Sequence, residues 1–313
     1  MALKGSWRTL VSGIVLATCI GPALAQAPGN QAAAVVNGES IPMGELKNIL
    51  EQRPSPVPLT AEQQQGMKKM ALDMLIDDIL MRQYLKKIMP PVTPAEVNEK
   101  IMELSDALKK QNKTLPQFLK DGGQTEAQLR IDIAAQLQWR NYLKKSLPDQ
   151  SLKSYYDANK IFFDKVMVKA SHILIRLRPD ATPAEQQAAM AKMQTIRQEI
   201  LTNKIDFAEA AKKYSECPSK AKGGDIGPFP YKFAVVEPFA QTAFAMKIGD
   251  VSEVVKTDFG LHLIKVTDRI AGEPSNFANI KEFVRDVYAQ DLDLYQKILT
   301  DQRKSAKIEV YAN

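Results

Sequence analysis

The chain has only two histidines, His172 and His262, and two cysteines, Cys19 and Cys217. Imidazole is the side chain that exchanges donor and acceptor roles near neutral pH, so chemistry built on a histidine pair must use these two. Both sit in short runs of apolar residues. By period-two spacing, Ala170, His172 and Leu174 share one strand face, and His262, Ile264 and Val266 share another. Each imidazole is therefore in phase with apolar neighbours and points into a half-buried interior. Two unrelated core histidines, each with a backbone or hydroxyl partner, satisfy the same pattern. Cys217 beside a base would suit a nucleophilic hydrolase, but no glycine-rich oxyanion motif adjoins it. It would serve equally as a small apolar filler. Gly223-Gly224 is not followed by Gly-Lys-Ser/Thr, so it reads as a turn rather than a phosphate cradle. Zinc sites built from Cys and His clusters are excluded by count.

The elements that must hold these groups form an α+β stretch. Residues 168–175 and 261–267 read as strands, and 251–256 as a third, with a turn at 258–260. Thr182-Pro-Ala-Glu185 caps a helix to about residue 202; 206–214 and 236–246 are two more. Residues 215–230, dense in Gly and Pro, read as a loop. By contrast, residues 42–160 are almost wholly helical. Thr60-Ala-Glu-Gln63 and Thr93-Pro-Ala-Glu96 have capping-box spacing, Asp121-Gly122-Gly123 ends a helix, and 124–147 and 148–158 are two further helices. Pro54, Pro56 and Pro58 make a stiff connector. Asn37-Gly38 between short apolar runs signals a hairpin. A last helix covers 277–304, and Lys307-Ile-Glu-Val-Tyr311 alternates like a strand expected to pair with the hairpin near Val35. The helical domain is then built from both termini, with the α+β unit inserted.

The 313 residues are 45% hydrophobic and 25% charged, a globular composition long enough for about two domains. The net charge of +6 is interspersed rather than gathered into a basic run, so nucleic acid is not an expected partner. Residues 1–25 read as an export signal: Lys4 and Arg8, an apolar run from Leu10 to Ile20, then Ala23-Leu24-Ala25 as the cleavage site. No later stretch is apolar enough to span a membrane. Thr18 before Cys19 does not fit a lipidation signal, which argues against anchoring through Cys19. Cleavage leaves Cys217 alone, with no partner for an intramolecular disulfide. Seven of the twelve methionines lie between Met43 and Met102, as core positions of amphipathic helices or as an adaptable binding surface.

Ala170-Ser-His-Ile-Leu174, Phe207-Ala-Glu-Ala-Ala-Lys-Lys-Tyr-Ser-Glu-Cys217, Lys222-Gly-Gly-Asp-Ile-Gly-Pro-Phe229, Glu237-Pro-Phe239, Ile248-Gly-Asp-Val-Ser252 and Val255-Lys-Thr-Asp-Phe-Gly-Leu-His262 together resemble the parvulin family of peptidyl-prolyl isomerases. The order and spacing are consistent over roughly 100 residues. Ala34-Val-Val-Asn-Gly-Glu and the long helices resemble the exported SurA, PpiD and PrsA foldases. The resemblance implies an α+β fold: a parvulin domain, a small antiparallel sheet with surrounding helices, inserted between N- and C-terminal segments of a helical chaperone-like domain. The domains are then a leader over 1–25, a helical part over 26–165, the parvulin domain over 166–270 and a returning helix and strand over 271–313.

It also implies cofactor-free isomerisation of Xaa–Pro bonds in unfolded or partly folded clients, in the periplasm, with a holdase whose parvulin domain only binds peptides as the alternative. His172 and His262 would be the paired imidazoles beneath the reacting amide, with Thr257 in their hydrogen-bond network. Cys217 would stand at the family's Cys-or-Asp position. Ile226 and Phe239 would wall the proline pocket. Val235 stands where the family commonly has Met, and Phe259 where some members have a small hydroxyl. Phosphate-directed members carry a basic cluster after the first strand; here only Arg176 and Arg178 are present, which argues against phosphoserine recognition.

Overall fold

Local hydrogen-bond chemistry sets the N-terminal elements of the computed structural model, which describes residues 32–51 and 58–312. The leader reading of 1–25, Cys19, Pro54 and Pro56 lie outside the described residues. Strands β1 (Ala32–Val36) and β2 (Glu39–Pro42) form a hairpin whose turn residues Asn37 and Gly38 both have positive φ, 51° and 87°. Helix α1 (Met43–Glu51) follows, then α2 (Ala61–Ile88), α3 (Pro94–Lys109), α4 (Leu115–Asp121) and α5 (Glu126–Ser146). Helices α2 to α5 each open on a threonine that makes a reciprocal capping box: Thr60, Thr93, Thr114 and Thr125.

After α6 (Asp149–Ala158) come α7 (Lys160–Phe163), β3 (Met167–Arg176), α8 (Pro183–Leu201), α9 (Phe207–Tyr214), β4 (Asp225–Pro230), α10 (Glu237–Ala245), β5 (Val255–Thr257) and β6 (Gly260–Ile270). The strands form an antiparallel sheet in the order β4-β3-β6-β5. Its two faces are sorted by the alternation of β3 and β6. Ile173, Ile175, Leu261 and Leu263 meet Met193, Ile196 and Phe207 of α8 and α9. Val168, Ala170, Ile264 and Val266 meet Phe239 and Ala243 of α10.

The chain ends in α11 (Phe277–Asp291), α12 (Leu294–Ser305) and β7 (Ile308–Val310). β7 pairs antiparallel with β1, Val35 opposite Glu309, so both ends of the chain complete one three-stranded sheet. Val36, Ile41, Leu46, Leu75, Ile76, Ile79, Leu80 and Leu299 form the core beside it. A smaller core joins α3 to α5 through Val97, Ile101, Leu129 and Ile133. The methionines divide: Met81 is in the core, while Met70 and Met102 are exposed. Two compact units result: the described residues up to Leu152 together with those from Arg285 on, and Lys153–Val284.

Three local expectations need correction, and one short helix has no counterpart among them. The glycine- and proline-rich 215–230 is not all loop, since it contains a 3₁₀ turn, Pro218–Lys222, and strand β4. Pro228 and Pro230 are tolerated because β4 is an edge strand. The strand expected over 251–256 is shorter. Val251 makes one isolated bridge to Lys265, and regular pairing begins at Val255. The expected helix over 277–304 breaks at Asp293, whose φ is +51°, with neither Gly nor Pro to announce it. Helix α7 is a single turn, too short to show a period in the sequence.

Candidate functional site

The β3–β6 register brings the histidines together. His172 lies opposite Ile264 and His262 opposite Leu174, which sets the two imidazoles diagonally on one sheet face. Their Nδ1 atoms are 3.2 Å apart. The rings lie nearly parallel, 18° between planes and 5.5 Å between centroids. β5 pairs Val255 with His262 and so carries Thr257 to the far side of that ring. Thr257 Oγ1 is 2.8 Å from His262 Nε2 and accepts the backbone N–H of Phe259 at 3.1 Å.

The roof is aromatic. Phe239 lies in the first turn of α10, next to Pro238, which needs no N–H there. Its ring stands edge-on to both imidazoles, 5.6 Å from each. Phe229 of β4 backs it at 5.8 Å. Ile226 and Val235 are half-buried against the same core. Phe259 is 58% exposed and joins the group through its backbone only. Cys217 is a half-buried free thiol, and no hydrogen bond among the described residues links it to an imidazole.

Burial sets the protonation of the pair. It pushes His172 below the usual histidine range. It pushes His262 down to about 4, with the neighbouring His172 adding to the effect. Both rings are therefore neutral at pH 7, and a neutral pair can be wired in two ways. Thr257 donates to His262 Nε2 and His262 Nδ1–H donates to His172 Nδ1, or every proton runs the other way. The first wiring leaves a proton on His172 Nε2 and the second a lone pair, and that atom has no hydrogen-bond partner among the described residues. The row can thus reverse its polarity without taking up charge. Among the described residues no three Cys, His, Asp or Glu side chains converge on a metal-sized site.

Some positioning groups carry no chemical signature in the sequence. Gly224, at φ +84°, accepts the His172 N–H at 3.0 Å. A Cβ there would fall 2.4 Å from the His172 carbonyl oxygen, so this glycine permits the close approach of a backbone. Ser215 is buried, and its Oγ accepts the N–H of Leu174 at 3.1 Å and of Cys217 at 3.3 Å. Ser252, also buried, holds Ile264 twice: its Oγ accepts the Ile264 N–H at 2.9 Å and its backbone N–H donates to the Ile264 carbonyl at 2.8 Å. Both serines lie in segments with parvulin-like order, and that order is the only trace of them.

Residues 172–268 match the model of the PPIC-type PPIase domain, and residues 6–143 match that of the SurA-like N-terminal domain. The chain is similar to the foldase protein PrsA of Caldanaerobacter subterraneus, 31% identical over 269 residues that cover 81% of this chain and 78% of the relative. It is also similar to the peptidyl-prolyl cis-trans isomerase Pin1 of Digitalis lanata, 36% identical over 113 residues, 32% of this chain and 95% of that protein. Among solved structures, the peptidylprolyl isomerase PrsA of Bacillus anthracis overlaps 75% of this chain and 96% of its own, at 24% identity and a TM-score of 0.43.

Proposed function

The chain belongs to the family of PrsA foldases, and from that premise we propose that it isomerises Xaa–Pro bonds of client polypeptides over the His172–His262 pair. The observation that carries the reading is the neutral imidazole pair, hydrogen-bonded Nδ1 to Nδ1 under the edge-on ring of Phe239. The barrier to turning an amide is about 18–20 kcal/mol because the planar form is resonance-stabilised. No covalent bond has to break. A planar amide carries extra negative charge on its oxygen, and the twisted amide loses it. An uncharged, apolar site therefore disfavours the planar ground state relative to the twisted one.

In this reading Phe239, Ile226 and Val235 grip the prolyl ring. His172, His262 and Thr257 form a floor that adjusts its hydrogen bonds as the carbonyl swings. Cys217 stands beside the carbonyl and Phe259 at the rim. The helical domain holds unfolded clients, and exposed Met70, Met102 and Phe118 supply apolar surface for that task. Residues 1–25 act as the export leader, and the chain works in the periplasm.

Protease-coupled isomerisation by residues 26–313 on a panel of Xaa-Pro peptides tests the proposal. Rate enhancement that disappears in Phe239→Ala supports it. A folded chain that accelerates no peptide, yet suppresses client aggregation, supports the second reading: a holdase whose shallower Val235 pocket binds proline without turning it over.

A further inference from the structure

Phe233 lies two residues before Val235 and has φ +68°. That is the left-handed region, which bulky side chains rarely enter. The residue is 42% exposed, so its own burial does not explain the backbone. What the backbone does is aim the ring. Phe233 meets Phe162 of α7 edge-on, with centroids 5.8 Å apart and 85° between planes. The residues before it are held as well. Lys232 Nζ lies 5.6 Å from the centre of the Tyr155 ring on α6. Tyr231 packs edge-on to Phe244 of α10 at 5.1 Å. From this anchored segment the chain runs directly to Val235, and then to Val236, whose carbonyl accepts the Phe239 N–H at 3.0 Å.

The other side of the contact is itself packed and hydrogen-bonded. Phe162 and Phe163 are buried, and Phe163 packs against Tyr155 and Tyr156 at 6.0 and 5.5 Å. The Asp164 carboxylate accepts both the N–H and the hydroxyl of Ser275 at 2.8 Å. Gly272 lies so close that a Cβ there would meet the Asp164 carbonyl. Residues 155–164 lie outside the 172–268 stretch that matches the isomerase family.

We propose that α6–α7 buttresses the proline pocket: Phe162 and Tyr155, acting through Phe233 and Lys232, set the position of the Val235 wall. The inference rests on the reading of this unit as a prolyl isomerase whose pocket Val235 and Phe239 line. Phe233 is a positioning residue, and its left-handed backbone persists because the ring contact over-determines it. A wall set from outside the site governs how well the prolyl ring is held, so its loss reads in KM before kcat.

The test compares the chain without its leader to Phe233→Gly, Phe162→Leu and the double variant. Glycine accepts the backbone of residue 233, so the first variant removes the ring without adding strain. Expected is a rise in KM of about three- to tenfold in each single variant, with little further rise in the double variant, as for two residues acting through one contact. The Val235 methyl resonances should shift in Phe162→Leu. Unchanged KM in Phe233→Gly, or stationary Val235 methyls in a folded Phe162→Leu, overturns the buttress. A wild-type chain that turns over no peptide while its Val235 methyls still respond to Phe162→Leu overturns the isomerase reading and leaves the buttress standing.

Discussion

His262 in the α+β unit and Asp78 in the helical unit are equally withdrawn from solvent, 4% exposed each. Burial penalises the charged form of both, so it pushes the base down to about 4 and the acid up to about 6. The consequences at pH 7 are opposite. His262 is neutral and hydrogen-bonded at both ring nitrogens. Asp78 remains ionised, held by Arg82 Nε on Oδ2 at 2.9 Å, while its Oδ1 has no hydrogen-bond partner among the described residues. Arg82 also reaches Glu39, and burial, with the charges of Asp78 and Asp77 adding to it, pushes Tyr295 up to about 12. One unit thus buries polar groups that discharge themselves, and the other buries a charge that must be matched. Uncharged polarity is what a site for turning an amide needs; matched charge is the way a scaffold locks helix to hairpin.

Removing the roof of the imidazole pair should produce the largest effect. Phe239 is buried against both rings and Phe229. Phe239→Ala should cost about 3–5 kcal/mol in stability. It should also lower kcat/KM at least about tenfold, since each 1.4 kcal/mol of lost transition-state contact is a factor of ten. The water it admits should move the His262 titration, followed by NMR, back toward 6.5. A His262 that still titrates near 4 in the variant would mean that the sheet, and not the ring, excludes water.

Asp78→Asn should act in the opposite sense and stabilise the helical unit. The shift from 3.8 to about 6 corresponds to roughly 3 kcal/mol of penalty on the ionised form. Arg82 loses part of its attraction but keeps Glu39, so a net gain of about 1–2 kcal/mol at pH 7.5 is expected by denaturant unfolding. Equal or lower stability than wild type would show that the Arg82 pairing outweighs the desolvation.

The parvulin-like unit was more legible in sequence than the chemistry it holds. Period-two alternation placed His172 and His262 on inward faces because a half-buried strand needs only its own residues to show that pattern. The capping boxes at Thr60 and Thr93 were legible for the same reason: their hydrogen bonds close within four residues. The Nδ1–Nδ1 contact was not, because it depends on a register between strands ninety residues apart. Strand β4 was hidden because its prolines are acceptable only at an edge, and which strand is an edge is a property of the assembled sheet. The requirement for glycine at 224 is likewise tertiary, as it comes from the His172 backbone.

The pH dependence of stability separates the two units by sign. Asp78 binds its proton more tightly when folded, so the helical unit gains stability as pH falls from about 6 toward 3.8. Asp77, also raised by burial, adds to the gain. His262 binds its proton less tightly when folded. The stability it contributes is complete above 6.5 and is lost as pH falls toward 4. His172 shifts in the same direction. Unit-resolved hydrogen exchange at pH 7 and pH 5 should therefore show protection rising in α2 and falling in β3 and β6. Parallel changes in both would break the comparison. Isomerase rates should stay flat from pH 8 to pH 7, because burial holds both rings below the usual histidine range and the pair is neutral there.

The smallest effect is expected at Cys217. Its half-buried thiol is linked to the strand only through its backbone N–H on Ser215 Oγ, and no hydrogen bond joins the sulfur to either imidazole. Serine keeps the backbone link and nearly the volume of the side chain. Cys217→Ser should therefore change stability by about 0.5 kcal/mol or less and leave the activity of the neutral pair close to wild type. A loss as large as that of Phe239→Ala would require the sulfur to act directly on the amide, and the uncharged floor would then be only part of the catalytic group. Measured side by side on one peptide, the two variants decide whether the site works by the environment it encloses or by a single reactive atom.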